Sequence, residues 1–307
     1  MSATRSWLQQ VDALAGDNRA GASEIAQGCA RALIAYADQA RPGSPREVEK
    51  AVQDLALRML KPHAAMAPVV RLINDVLLAL SEVDTVRLGL DTIRRVSNEY
   101  NALAEQASAL AVEAALHVIP ASGTIVTISY SSMVANSLLL AHKNGCALSV
   151  ICLESRPSLE GRLLAEALGE GGLEAILAID ASCLSQVRTA NLVLCGADSM
   201  SAAGVVNKVG TGSLAASAHA FAIPTFVVGD SSKIWPEKLG TPRIPQRDPA
   251  EVWDDAPSSI QVHNTYYELT PWEFFSGVVT ERGVADRTAI TEIAASIPVD
   301  RRLLSLL

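Results

Sequence analysis

The sequence predicts a helical N-terminal domain followed by an α/β domain built on a doubly wound parallel sheet. Apolar residues recur at three- and four-residue intervals up to about residue 117, the spacing of one helix face. Beyond that point, short apolar runs of strand length alternate with helical segments, which is the order of a parallel sheet with helical crossovers. The chain has 307 residues, 49% of them hydrophobic, enough to bury one large core or two unequal ones, and the length favours two domains.

Residues 1–117 read as four or five helices that close a bundle. SEIAQGCARALIAYADQA, REVEKAVQDLALRMLK, PVVRLINDVLLALSEV and DTVRLGLDTIRRVSNEYNALAEQASALAVEAALHVI each carry an apolar stripe. RPGSP, KPH and the region near Asp84 break them. Residues 118–307 form the second domain. After PASG, the runs TIVTIS, ALSVICL, EAILAI, ANLVLCG and PTFVVGD read as buried strands, with helices such as SSMVANSLLLAHKNG and SLEGRLLAEALGEGG between them. Ligands of such sheets bind outside the carboxyl ends of the strands, so the polar residues that follow each run are the ones to weigh.

Composition narrows the function classes. A net charge of -8 and a pI near 5.2 disfavour a direct nucleic-acid partner, whose phosphates would be repelled. Apolar runs stop short of the roughly 20 residues of a membrane span, and MSATRSWLQQ lacks the basic-then-apolar order of a secretion signal. With a mean hydropathy of +0.23, the expectation is a soluble, cytoplasmic protein. Cys29, Cys146, Cys152, Cys183 and Cys195 are odd in number and contain no CxxC pair, which argues for reduced thiols rather than disulfides or structural zinc. The five histidines are scattered, so no metal is expected. Neither a GxGxxG turn after the first strand nor a GxxxxGK[ST] loop is present, and no cofactor is expected.

Three strand ends carry distinctive chemistry. TIVTI is followed by Ser129, Tyr130, Ser131 and Ser132 and then a helix. Free amides at that helix start suit an anion, and a serine there equally serves as a plain N-cap. ANLVLCG is followed by Asp198, then by Asn207, Lys208 and VGTGS at the start of another helix. An aspartate in this place suits proton transfer or an Asx-turn, and the lysine suits phosphate. PTFVVGD leads to Lys233, which alone reads as a solvated lysine.

The segments LESRPSLEGRLLAEAL, GADSMSAAGVVNKVGT, TFVVGDSSKIWP and YYELTPWEFFSGVVTERGV resemble a known superfamily, with matching order from about Lys61 to Ala285. It joins the α, β and δ subunits of translation initiation factor 2B to ribose-1,5-bisphosphate isomerase and methylthioribose-1-phosphate isomerase. The resemblance implies a helical domain joined to a Rossmann-like domain that dimerises. The isomerases move a proton or hydride between the first two carbons of an aldose phosphate, using a cysteine and an aspartate. The aspartate matches Asp198, and the cysteine position is Ser129 in VTISYSS. A hydroxyl is a far weaker base than a thiol. The Tyr130-Ser131 pair resembles the initiation-factor subunits instead.

The family's ligand contacts map onto Ser131, Ser132 and Met133, onto Asn207 and Lys208, and onto Lys233. KPHAA puts Lys61 where an arginine holds phosphate, and NRAGAS faintly echoes a further motif around Arg19 and Gly21. Between Asp198 and Asn207 the chain is one residue shorter than the family pattern, with Ala203-Gly204 in place of its Asn-Gly. The implied ligand is a phosphorylated pentose or nucleotide. The implied protein is either an isomerase-like enzyme, with Asp198 as acid and another group replacing the cysteine, or a regulatory or metabolite-sensing subunit. A purely structural role leaves the lysines and Asn207 incidental. Cys152 and Cys195 are open candidates for the missing thiol. A homodimer or higher homo-oligomer is expected, with ELTPWEFFSGVVTERGV near the interface; the alternative for that segment is core packing of a terminal helix.

Overall fold

In the computed structural model, residues 6–17 and 19–307 are described. Five helices come first: α1 (Ser6–Gly16), α2 (Ala22–Gln39), α3 (Pro45–His63), α4 (Ala67–Leu80) and α5 (Val86–Ala115). Local chemistry sets their starts. Ser44 caps α3 by accepting the Glu47 amide at 3.3 Å, while the Glu47 carboxylate accepts the Gly43 amide at 2.8 Å. Thr85 caps α5 by accepting the Leu88 amide at 3.2 Å. KPH is helical to His63, so the break falls just beyond it.

The second half alternates strand and helix. β1 (Ser122–Ile128), α6 (Ser132–Lys143), β2 (Ala147–Leu153), α7 (Glu160–Glu170) and β3 (Glu174–Ala178) are followed by the short α8 (Cys183–Val187) and β4 (Leu192–Cys195). Next come β5 (Ser199–Ser201), β6 (Gly204–Lys208), α9 (Thr211–Ala220), β7 (Thr225–Val228), β8 (Tyr267–Thr270), β9 (Gly277–Thr280), β10 (Gly283–Ala285), α10 (Arg287–Ser296) and α11 (Arg301–Leu304). A seven-stranded sheet has the order β10-β9-β7-β4-β1-β2-β3, with only β10 antiparallel to its neighbour. The five runs read as strands are β1, β2, β3, β4 and β7. Two features differ from the sequence reading. Asn207 and Lys208 end strand β6 of a small antiparallel sheet, β5-β6-β8, rather than opening a helix. The segment from Tyr267 to Ala285 is not a terminal helix but strands β8, β9 and β10, and Trp272 within it donates Nε1–H to the Ser201 carbonyl at 2.7 Å.

Helix α5 spans two apolar cores. Ile93 and Val96 belong to the helical core, and Ala111, Val112 and Ala115 to the core on one face of the large sheet. Trp235 and Leu303 pack back into the helical core, so the C-terminal half clamps the first helices. Asn74 of the buried α4 fixes that return: its side chain donates to the Pro298 carbonyl at 2.9 Å and accepts the Asp300 amide at 3.0 Å. Among the described residues no helix is long and apolar enough to cross a membrane.

Candidate functional site

Strand order places the site. From β1 the chain moves outward to β2 and β3, then crosses back to lay β4 against the other side of β1. Connections leaving β1 and β4 therefore diverge, and a crevice opens at their carboxyl ends. Into it project the β1–α6 loop (Ser129, Tyr130, Ser131, Ser132) and Ala197 and Asp198 beyond β4. Arg19 and the first turn of α2 close it from the helical layer, and Glu160, Asn207, Lys208, Lys233 and Tyr267 complete the lining. The space not filled by protein atoms, open mouth included, is about 580 Å³.

The backbone of Asp198 is fixed on both sides. Its amide donates to the Val206 carbonyl at 2.8 Å, and its carbonyl accepts the Ala67 amide from the start of α4 at 3.0 Å. Ala67 also reaches the Ser199 hydroxyl oxygen at 3.0 Å. The helical layer thus holds the loop that carries the acid. Burial raises the Asp198 carboxyl from 3.8 to about 6; Lys233 and Lys208 oppose that rise and Glu160 adds to it. A carboxyl in this range exchanges protons near neutral pH, as a general acid must. The Tyr267 phenol is pushed well above its ordinary value by burial and the nearby Asp198 charge, so it stays a hydrogen-bond donor.

Two buried lysines supply positive charge. Lys208 is 2% exposed; its Nζ donates to Glu160 Oε1 at 2.8 Å and Ser158 Oγ at 3.3 Å, and lies 5.1 Å from the centre of the Tyr266 ring. Lys233, on the single turn Ser231–Lys233, donates to the Ala197 carbonyl at 2.6 Å, which leaves two ammonium protons for a ligand. Asp230 holds that turn by accepting the Ser232 amide at 2.9 Å.

Two helix N-termini face the same space. The first helical bond of α6 is donated by Ala135 to the Ser131 carbonyl at 2.9 Å, so the Ser132 and Met133 amides precede the ladder. Gly21 begins α2 without a side-chain cap, and the first bond there runs from Ile25 to the Gly21 carbonyl at 3.0 Å. The Ser23 hydroxyl, in that first turn, is buried and has no hydrogen-bond partner among the described residues. Unpaired amides, aligned dipoles and lysine ammonium groups are the groups that suit an anion. Gly196 permits the geometry: a Cβ there would lie 2.7 Å from both Cβ and Oγ of Ser131. Ser129 holds the turn with φ of 65°, and its amide donates to Ser155 Oγ at 2.7 Å.

The structure gathers Ser129, Ser131, Ser132, Asp198, Asn207, Lys208 and Lys233 around this pocket. Lys61 and Met133 are not brought there. Lys61 is exposed on the last turn of α3, and Arg19, from the faint NRAGAS echo, is the cation at the rim instead. The Met133 side chain is 1% exposed within the sheet core, since an α6 residue two beyond the cap turns toward the sheet and leaves only its amide near the crevice. Cys152 and Cys195 lie in apolar cores outside the lining, and burial pushes both thiols up to about 12. Sequence reasoning missed Glu160, Tyr267 and Ser23. For Glu160 the signal was an acid at the start of the helix after the second strand, indistinguishable by itself from an acid favoured at any helix start and less prominent than Glu154, which follows the strand directly.

Residues 18–287 match the family described as the Initiation factor 2 subunit family. Ribose 1,5-bisphosphate isomerase of Archaeoglobus fulgidus is 28% identical over 291 residues, covering 92% of this chain and 89% of that protein. A putative translation initiation factor eIF-2B subunit 2-like protein of Pyrococcus horikoshii is 28% identical over 266 residues, covering 86% of this chain and 90% of that one. The crystal structure of the Pyrococcus horikoshii OT3 translation initiation factor eIF-2B superposes with a TM-score of 0.80 at 27% identity, over 92% of this chain and 97% of that chain. 5-Methylthioribose 1-phosphate isomerase of the same organism, at 22% identity and a TM-score of 0.71 over 98% and 87%, bears on the fold alone.

Proposed function

The chain belongs to the Initiation factor 2 subunit family, and from that premise we propose that its pocket binds a phosphorylated pentose and that Asp198 serves as acid in a slow aldose–ketose interconversion. The observation that carries this reading is the half-buried Asp198 carboxyl, raised to about 6, beside the buried Lys208 and Lys233 and the starts of α2 and α6. An anion site next to a proton-exchanging carboxyl is what a sugar phosphate undergoing proton transfer needs.

The chemistry balances on one carboxyl. In a sugar 1-phosphate, the ring oxygen takes a proton as its bond to C1 breaks, the hydrogen on C2 passes to C1, and the C2 hydroxyl loses its proton to become the carbonyl. Asp198 gives the first proton and regains the last. Ser129, at the position to which the motif resemblance assigns a cysteine, contributes a hydrogen bond rather than a base. Lys233 and the two helix starts hold the phosphate.

A second reading, a regulatory or metabolite-sensing subunit that binds without turnover, is favoured by one specific observation. Among the described residues, no cysteine lines the pocket. Incubating the protein with ribose 1,5-bisphosphate or methylthioribose 1-phosphate and following ketose formation separates the two: product abolished by Asp198→Asn supports the enzyme, and binding without product supports the sensor. In both readings the protein is cytoplasmic and a homodimer formed through the C-terminal domain, where the edge strand β10 carries Val284 at 55% exposure. Sedimentation at micromolar concentration showing a monomer would contradict the dimer.

A further inference from the structure

Glu160 carries a feature that pairing with Lys208 does not explain. It is the first residue of α7, lines the pocket, and is 7% exposed. Oε1 accepts Lys208 Nζ at 2.8 Å, whereas Oε2 is buried and has no hydrogen-bond partner among the described residues. A buried carboxylate oxygen left without a donor is costly, and such a position persists where a ligand supplies the missing hydrogen.

The charge of the lining bears on which ligand that is. Arg19, Lys208 and Lys233 face the carboxylates of Glu160 and Asp198. The bond to Glu160 neutralises Lys208, so Lys233, the rim residue Arg19 and the helix starts remain for anions. One phosphate, with a charge of about -1.5 to -2, matches that supply. A second phosphate brought against Glu160 would meet a buried like charge and offer Oε2 no hydrogen, whereas a sugar hydroxyl donates to it.

We propose that Glu160 selects the ligand: the pocket takes a pentose monophosphate, one of whose free hydroxyls donates to Glu160 Oε2, and discriminates against a pentose bisphosphate. This rests on the pentose-phosphate reading above and narrows its substrate class. The ion pair also leaves Lys208 one ammonium proton, enough to orient a neutral hydroxyl beside the carboxylate.

The test is calorimetric titration of wild type and Glu160→Gln with ribose 1-phosphate, ribose 5-phosphate and ribose 1,5-bisphosphate, with orthophosphate as control. The wild type is expected to bind the better monophosphate at least about tenfold more tightly than the bisphosphate. In Glu160→Gln that ratio is expected to fall by at least about tenfold, because the charge is gone and the amide can donate to phosphate. Wild-type preference for the bisphosphate, or a ratio unmoved in Glu160→Gln, overturns the selection while leaving the pentose-phosphate site standing. No binding of any of the three sugars overturns both. The wild-type ratio needs no variant, so the inference remains testable if Glu160→Gln does not fold.

Discussion

Lys208 Nζ lies 2.8 Å from Glu160 Oε1, with only 2% and 9% of the two side chains exposed. The pair joins the end of β6 to the start of α7 beneath the pocket. Removing one partner strands the other charge in a dry site, so Lys208→Ala is expected to destabilise the protein by about 3–5 kcal/mol. The double variant Lys208→Met/Glu160→Leu, which removes both charges, is expected to recover most of that loss. Urea unfolding of the three proteins checks this; a double variant no more stable than Lys208→Ala would show that the cost lies in packing.

The Asp198 carboxyl makes stability depend on pH in a predictable direction. Below about pH 4 it is protonated in both folded and unfolded chains. Between 3.8 and about 6 the folded chain holds the proton and the unfolded chain does not, so raising the pH through this window removes stability. Asp198→Asn lacks that loss. The variant is expected to gain on the wild type by up to about 3 kcal/mol from pH 4 to pH 7, with no further change above. Equal pH profiles for the two proteins would mean that Asp198 is not held protonated.

Ser129→Cys places a thiol at the pocket end of β1, beside helix starts that favour its ionised form. Ketose formation from methylthioribose 1-phosphate is expected to rise by about a hundredfold over wild type, the lower end of what a positioned acid–base group supplies. Activity that stays unchanged would argue that the chain's slow step is not proton transfer at this position.

Gly196→Ala brings a Cβ to 2.7 Å from Ser131 Cβ and Oγ and so displaces the cap of α6. Stability is expected to fall by about 1–3 kcal/mol, as for overpacking elsewhere, and phosphate affinity to fall with it. Parallel unfolding and titration measurements check both; intact phosphate affinity would show that the start of α6 does not hold the anion.

How much of this was readable in advance follows from the kind of signal each part leaves. Buried strands such as Ile125–Ile128, broken only by Thr127, and Val150–Leu153 are largely apolar runs, and the amphipathic helices carry stripes, so the layers and their order could be read. The small sheet could not: β5 and β6 are short and contain Ser199, Ser201, Gly204 and Asn207, residues that ordinarily mark turns. Asp198, Lys208 and Lys233 stood out because charged residues followed strand ends. Glu160 did not, since its partner lies 48 residues away and only the fold brings the two together. Lys61 and Met133 show the converse, because local resemblance does not say which way a helical side chain turns.

Calorimetric titration of ribose 1-phosphate into wild type and Lys233→Met at neutral pH tests the phosphate site most directly. Lys233 touches the pocket and its ammonium donates to the Ala197 carbonyl rather than to a carboxylate, so its replacement removes a charge-assisted contact without breaking an ion pair such as that of Lys208. The predicted result is saturable one-to-one binding in the wild type that weakens roughly ten- to a hundredfold in Lys233→Met, the worth of a hydrogen bond to a charged group. Wild-type protein that takes up no heat, or a variant that binds as tightly as wild type, would contradict the account.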